Sequence, residues 1–198
     1  MTQKKFSILS ASLTLSIAAS SLLSLLSMNA HAARIEGVEF PEQLKVESKN
    51  LVLNGVGLRS ATLFNVKVYA GALYVETKSK NEAEIIDSPQ IKDVKMVFLR
   101  DVKKDQLNEA WEKGIHKACV KGCPQLEEPL AQLKAMMVSV KPKDTMEFTI
   151  FPAKVEVKVN DQKAGEISNA NFSKMLLATW IGREPPTEEL KAGLLGKK

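Results

Sequence analysis

With two cysteines and two histidines among 198 residues, this chain has little with which to hold a metal or a haem. His116 lies near the Cys119-x3-Cys123 pair, but two thiols and one histidine leave a tetrahedral site without a fourth ligand, and no Cys-x-x-Cys-His attachment sequence occurs. There is no glycine-rich phosphate loop, no nucleophile elbow and no pair of carboxylates spaced for acid–base work, so no cofactor is expected. The excess of positive charge is small, 28 Lys and Arg against 23 Asp and Glu. Lysines such as Lys92, Lys95, Lys103 and Lys104 stand among acids, which describes a solvated surface rather than a nucleic-acid footprint. After residue 33 the chain also lacks repeats, low-complexity tracts, linkers and any apolar run of membrane-spanning length.

What is present begins with an address. Lys4 and Lys5 precede an apolar run from Phe6 to Leu26, and Ala30-His31-Ala32 has the small-x-small pattern of a signal-peptidase site. Cleavage is expected after Ala32, which divides the sequence into a signal peptide, 1–32, and one domain, 33–198. No cysteine follows the site, which argues against a lipid anchor. The mature protein is therefore expected to be periplasmic or secreted, with no stable membrane insertion.

The stretch Asn54 to Glu76 organises the rest. A first strand through Leu51 to Arg59 and a second from Val66 to Val75 form a hairpin. Alternation puts Leu53, Gly55, Gly57 and Arg59 on one face, a cation at the end of a row whose middle has no side chains. Glycine weakens a strand, so two at this spacing predict that something approaches the backbone closely there. The second strand is apolar or small on both faces, as a covered central strand is.

Around the hairpin the pattern predicts a strand from Ile35 to Phe40 paired with Gln43 to Glu47, a short helix over Asn81 to Ile86, and a strand from Lys92 to Val102. The period then changes. Leu107, Ala110, Trp111, Gly114 and Ala118 make a helical stripe, and a second helix beginning near Pro129 presents Leu130, Leu133, Met136, Met137 and Val140 before Pro142 closes it. Three further strands follow, then a helix from Asn171 to Gly182 and a short one over Thr187 to Leu194 with Thr187 as cap. Strands, helices, strands and helices in that order predict an α+β fold, an antiparallel sheet with helices on one face.

Gly55-x-Gly57-x-Arg59, Lys67-Val68-Tyr69 leading to Leu73-Tyr74-Val75, Phe98-Leu99-Arg100-Asp101-Val102, Ala135-Met136-Met137 and Leu176-Leu177-Ala178-Thr179-Trp180-Ile181-Gly182 occur in one order along nearly all of the mature chain. Through this series the sequence resembles the chalcone isomerase-fold proteins, and specifically their exported bacterial branch. The resemblance implies an open-faced β-sandwich with a ligand cleft between a large sheet and a helical layer. It also implies that Arg59 and Thr179 match functional positions of the plant enzymes, which close chalcones into flavanones. The hairpin threonine of those enzymes is matched by Tyr69, and the region after Arg100 offers no tyrosine and no asparagine in register. The ketone-polarising groups are thus missing, which argues against isomerase activity.

Plant fatty-acid-binding proteins of the same fold hold a carboxylate with an arginine and a tyrosine, and Arg59 with Tyr69 looks like that pair. A guanidinium facing an apolar cleft is costly to desolvate unless an anion meets it, and its fork matches a carboxylate. The expectation is a non-catalytic protein binding a small apolar carboxylate such as a fatty acid, with Arg59, Tyr69, Thr179, Gly55 and Gly57 at the site. Two alternatives stand beside it: an isomerase or lyase acting on another anionic substrate, and a structural or accessory protein whose cleft is closed. At the level of residues, Arg59 has an alternative as the counter-ion of Asp101 or Glu147, and Thr179 as a hydroxyl bonded to its own helix. Trp111, Met136, Met137, Met175 and Trp180 are expected in the core or cleft wall. In an oxidising compartment Cys119 and Cys123 are a candidate short-loop disulfide.

Overall fold

The computed structural model describes residues 32–61, 66–119 and 122–197, so the expected signal peptide falls outside the described residues except for Ala32. Seven antiparallel strands form one sheet in chain order: β3 (Gln43–Val46), β4 (Lys49–Ala61), β5 (Val66–Val75), β6 (Lys92–Phe98), β7 (Thr145–Ile150), β8 (Val155–Val159) and β9 (Gln162–Ile167). From β4 onward each strand pairs with its predecessor, the connections being short or passing through helices. Left-handed residues Asn160 and Asp161 (φ 49° and 62°) make the tight turn between β8 and β9.

Ahead of the sheet, β1 (Ala33–Ile35) and β2 (Val38–Phe40) form a separate two-stranded hairpin. This corrects the expected single strand from Ile35 to Phe40: Glu36 and Gly37, both at positive φ, turn the chain within it. The segment 43–46 accordingly pairs with β4 and not with residues 35–40.

The helices are α1 (Glu82–Asp87), α2 (Lys104–Ala118), α3 (Glu127–Met136), α4 (Ala170–Ile181) and α5 (Glu188–Leu194). Side chains of Asn81, Asn169 and Thr187 cap the starts of α1, α4 and α5 by accepting backbone N–H bonds. On α2 the buried residues are Leu107, Trp111 and Ile115, a strict four-residue spacing that leaves Ala110 outside. The helix expected to reach Val140 stops at Met136, and Val140 instead makes an isolated bridge to Val102.

Two hydrophobic clusters separate the two faces of the sheet. On the helix side Leu73, Val94, Phe148 and Val157 pack with Trp111, Leu176 and Trp180 of the helices. On the other side Leu51, Leu53, Ala70, Ala72 and Tyr74 pack with Phe40 of the small hairpin. A sheet covered by helices on one face and only a hairpin on the other accounts for the α+β class.

Candidate functional site

Strict alternation places Leu53, Gly55, Gly57 and Arg59 on one face, and the structure divides them. Leu53 is opposite Tyr74, but Gly55 is opposite Leu73, so Asn54 is a β-bulge at which the alternation slips by one. Leu53 therefore joins the hairpin side, while Gly55, Gly57 and Arg59 face the helices. The bulged Asn54 is itself a tie that sequence reasoning missed. Its amide donates to the Leu194 carbonyl at 2.8 Å and its carbonyl oxygen accepts from the Ser79 N–H at 3.0 Å.

Gly55 and Gly57 were expected to line a ligand cleft, and this is corrected. The close approach they permit is made by the chain's own last helix. A β-carbon on Gly55 would lie 2.2 Å from the Gly193 carbonyl oxygen, and one on Gly57 would lie 2.5 Å from that of Leu190. Gly193 reciprocates, since its β-carbon would lie 2.4 Å from the Val56 carbonyl oxygen. Helix α5 thus rests backbone on backbone against β4. The spacing of Gly193 and Gly196 near the C-terminus was the signal that could have shown it.

Arg59 and Tyr69 are brought together, as direct partners across β4 and β5. Tyr69 is 7 % exposed, and its ring bends over Gly71 and meets Phe98 edge-on at 5.9 Å. Burial pushes its hydroxyl up to about 12, against the Trp180 indole and the Arg59 charge, both of which favour the phenolate. Arg59 is half-buried, and its Nη1 donates to the Ser60 carbonyl. Among the described residues no carboxylate lies within ion-pair distance of it. The internal counter-ions considered for it are placed elsewhere: Glu147 bonds Lys158 at 2.8 Å and faces Lys95 at 3.5 Å, and Asp101 is exposed.

Thr179 does not join this pair in any described contact. Its hydroxyl donates to the Leu176 carbonyl at 2.7 Å, and its Cβ and Cγ2 press on Gly114 of α2 at 3.4 Å from where a side chain would begin. The threonine is a helix–helix packing residue. Behind Tyr69 the space between sheet and helices is filled. Trp111 meets Phe148 and Trp180 at 5.1 and 5.3 Å, and its indole N–H donates to the Met137 sulfur at 3.1 Å.

Cys119 and Cys123 are disulfide-bonded, with α-carbons 6.1 Å apart. Among the described residues no cluster of three or more His, Cys, Asp or Glu has the geometry to hold a metal, and no helix is long and apolar enough to cross a membrane.

A family model described as chalcone isomerase-like matches residues 32–196. Among solved structures, a fatty-acid binding protein of Arabidopsis thaliana superposes with a TM-score of 0.70 at 16% identity, over 84% of this chain and 96% of that one. At that identity the likeness is one of fold. No curated protein matches the sequence.

Proposed function

Because this chain belongs to the chalcone isomerase-like family, we propose that it uses the fold as an exported, non-catalytic receptor for a small carboxylate with an apolar body, held at Arg59 and Tyr69. The observation that carries the proposal is a half-buried guanidinium beside a buried tyrosine, with no acid among the described residues to neutralise it. The fork supplies two parallel bonds to a carboxylate and the phenol a third. The solved relative with this fold, a fatty-acid binding protein, supports the same ligand class. The match of the family model from residue 32 onward supports a leader ending there, and N-terminal sequencing of the exported protein is expected to begin at Ala33.

The ring cluster sets the size of the ligand. A charge-assisted hydrogen bond contributes roughly 1.5–3 kcal/mol and each buried methylene about 0.8 kcal/mol, so in an open tunnel the tail would dominate. Here Phe148, Trp180 and Trp111 are 0–6 % exposed and in mutual contact, so a long tail finds no open tunnel among them. Calorimetric titration with saturated acids of increasing length is expected to show affinity rising over the first few carbons and then levelling. Arg59→Ala is expected to weaken every member by at least about tenfold, the equivalent of one charge-assisted bond. Affinity indifferent to Arg59 would remove the proposal, and chalcone turnover would replace it with an enzyme.

The filled interior specifically favours a second reading, an accessory protein whose cleft is closed. Absence of binding at every chain length, with the fold intact, selects it.

A further inference from the structure

The disulfide has neighbours that a merely structural cross-link does not need. A cavity of about 320 Å3 at the C-terminal end of α2 is lined by Cys119, Cys123, His116 and Glu127. Cys119 caps α2, its N–H donating to the carbonyls of Ile115 and His116 at 3.1 and 3.3 Å. Cys123 leads into a single 3-10 turn, Pro124–Leu126, and then α3.

The bond joins residues four apart, so it removes little entropy from the unfolded chain. The flanking helices are anchored independently, α2 through Leu107, Trp111 and Ile115, and α3 through Leu130 and Leu133. The two sulfurs are also unequal. Cys119 is 9 % exposed while Cys123 is half-buried, so an incoming thiolate reaches Cys123 and expels Cys119. A thiolate at Cys119 would form at the carbonyl end of a helix, where the backbone dipole opposes an anion. Relief is one turn away: His116 is on the same cavity wall, with its Nε2 3.1 Å from Glu127 Oε1. Glu112 also acts on that ring, and it accepts a bond from Lys134 at 2.7 Å.

We propose that Cys119–Cys123 is a thiol–disulfide exchange site for a partner that presents a dithiol, with His116 as the proton donor to the departing Cys119 sulfur. A thiolate of the partner attacks Cys123 Sγ. A partner–Cys123 disulfide forms, the Cys119–Cys123 bond breaks, and its electron pair leaves on Cys119, which takes a proton from the His116 imidazolium. The partner's second thiolate then attacks its own sulfur in the mixed disulfide, releasing Cys123 as a thiolate and the partner as an intramolecular disulfide. Two electrons pass from partner to protein, and the reverse sequence reoxidises it.

The test uses the full oxidised chain with reduced dithiothreitol as the probe dithiol, counting free thiols by alkylation and intact mass. Reduction is expected to run to completion while the near-ultraviolet dichroism of Trp111 and Trp180 is unchanged. His116→Asn is expected to slow it about tenfold at neutral pH and to flatten its pH profile, a modest share of what a well-placed general acid contributes. A Cys119→Ser, Cys123→Ser double variant is expected to fold with the same dichroism. A disulfide that yields only when the fold melts, a double variant that does not fold, or a His116→Asn protein reduced at the wild-type rate each overturns the proposal.

Discussion

The chain's only two tyrosines stand five residues apart on β5 and, by the alternation of a strand, face opposite ways. Tyr69 looks toward the helices with a cation across the strand pair and an indole beside it. Tyr74 looks toward the small hairpin and is opposite Asp93, with Glu147 and Glu42 adding negative charge. Both hydroxyls are pushed above their ordinary value by burial, but Arg59 pulls Tyr69 back while the acids push Tyr74 further up. A phenol beside a guanidinium is a donor ready for an anion from outside. Carboxylates around a phenol repel one. The difference favours the helix side for the proposed carboxylate, although both tyrosines are buried.

The strongest way to break the contrast is to remove the packing that buries Tyr69. Trp180 is 1 % exposed and touches both Trp111 and Phe148, so Trp180→Ala is expected to lower unfolding free energy in denaturant titration by about 3–5 kcal/mol. A loss below about 1 kcal/mol would mean that the ring cluster does not close the interior.

On the opposite face Asp93 is fully buried, accepts one bond from the Thr149 hydroxyl at 2.7 Å, and leaves its Oδ1 without a partner. Burial, reinforced by the Glu147 carboxylate, pushes it up to about 8, while Lys158 and Lys95 pull the other way. An acid whose folded pKa lies above its unfolded value of about 4 contributes stability that is complete below that unfolded value and is lost as pH rises toward the folded one. Wild-type stability is therefore expected to fall between about pH 4 and 8, by up to roughly 1.4 kcal/mol per unit for one proton. Asp93→Asn removes the ionisation, so its stability profile should be flatter across that range. Parallel profiles for the two proteins would show that Asp93 titrates as an ordinary surface acid.

Much of this arrangement was legible in the residues. The β4–β5 hairpin, the three strands after residue 144 and the cap at Thr187 each follow from local period and turn chemistry, while the Arg59 and Tyr69 pairing follows from the family resemblance. What escaped was non-local or a single residue wide. One inserted residue at Asn54 reverses which face Leu53 occupies, and strict alternation contains no mark of it. The glycines did announce a close approach, but the partner, α5, begins more than a hundred residues later. Asp93 reads as one more charge among lysines because its burial depends on the strands paired on either side of it, where it is opposite Tyr74 and Thr149. Thr179 matched a family position, and a helix–helix contact with Gly114 claimed it instead.

Smaller substitutions sharpen the comparison. Arg59→Lys keeps the charge and loses the fork, so carboxylate affinity measured by calorimetry is expected to fall by about tenfold, one charge-assisted bond, with no change in stability. Retention of full affinity would reduce the role of Arg59 to that of a point charge.

The gentlest change separates the two hydroxyls. In Tyr69→Phe the lost phenol is a donor of the proposed site, so affinity for the carboxylate should drop several-fold, worth about 1 kcal/mol, while unfolding free energy holds. Tyr74→Phe removes a buried hydroxyl that has no protein partner, so the fold should be unchanged or gain up to about 1 kcal/mol, with affinity unaltered. If Tyr74→Phe instead weakened carboxylate binding while Tyr69→Phe did not, the ligand would belong to the face that carries Asp93, and the charge argument that separates the two sides would be inverted.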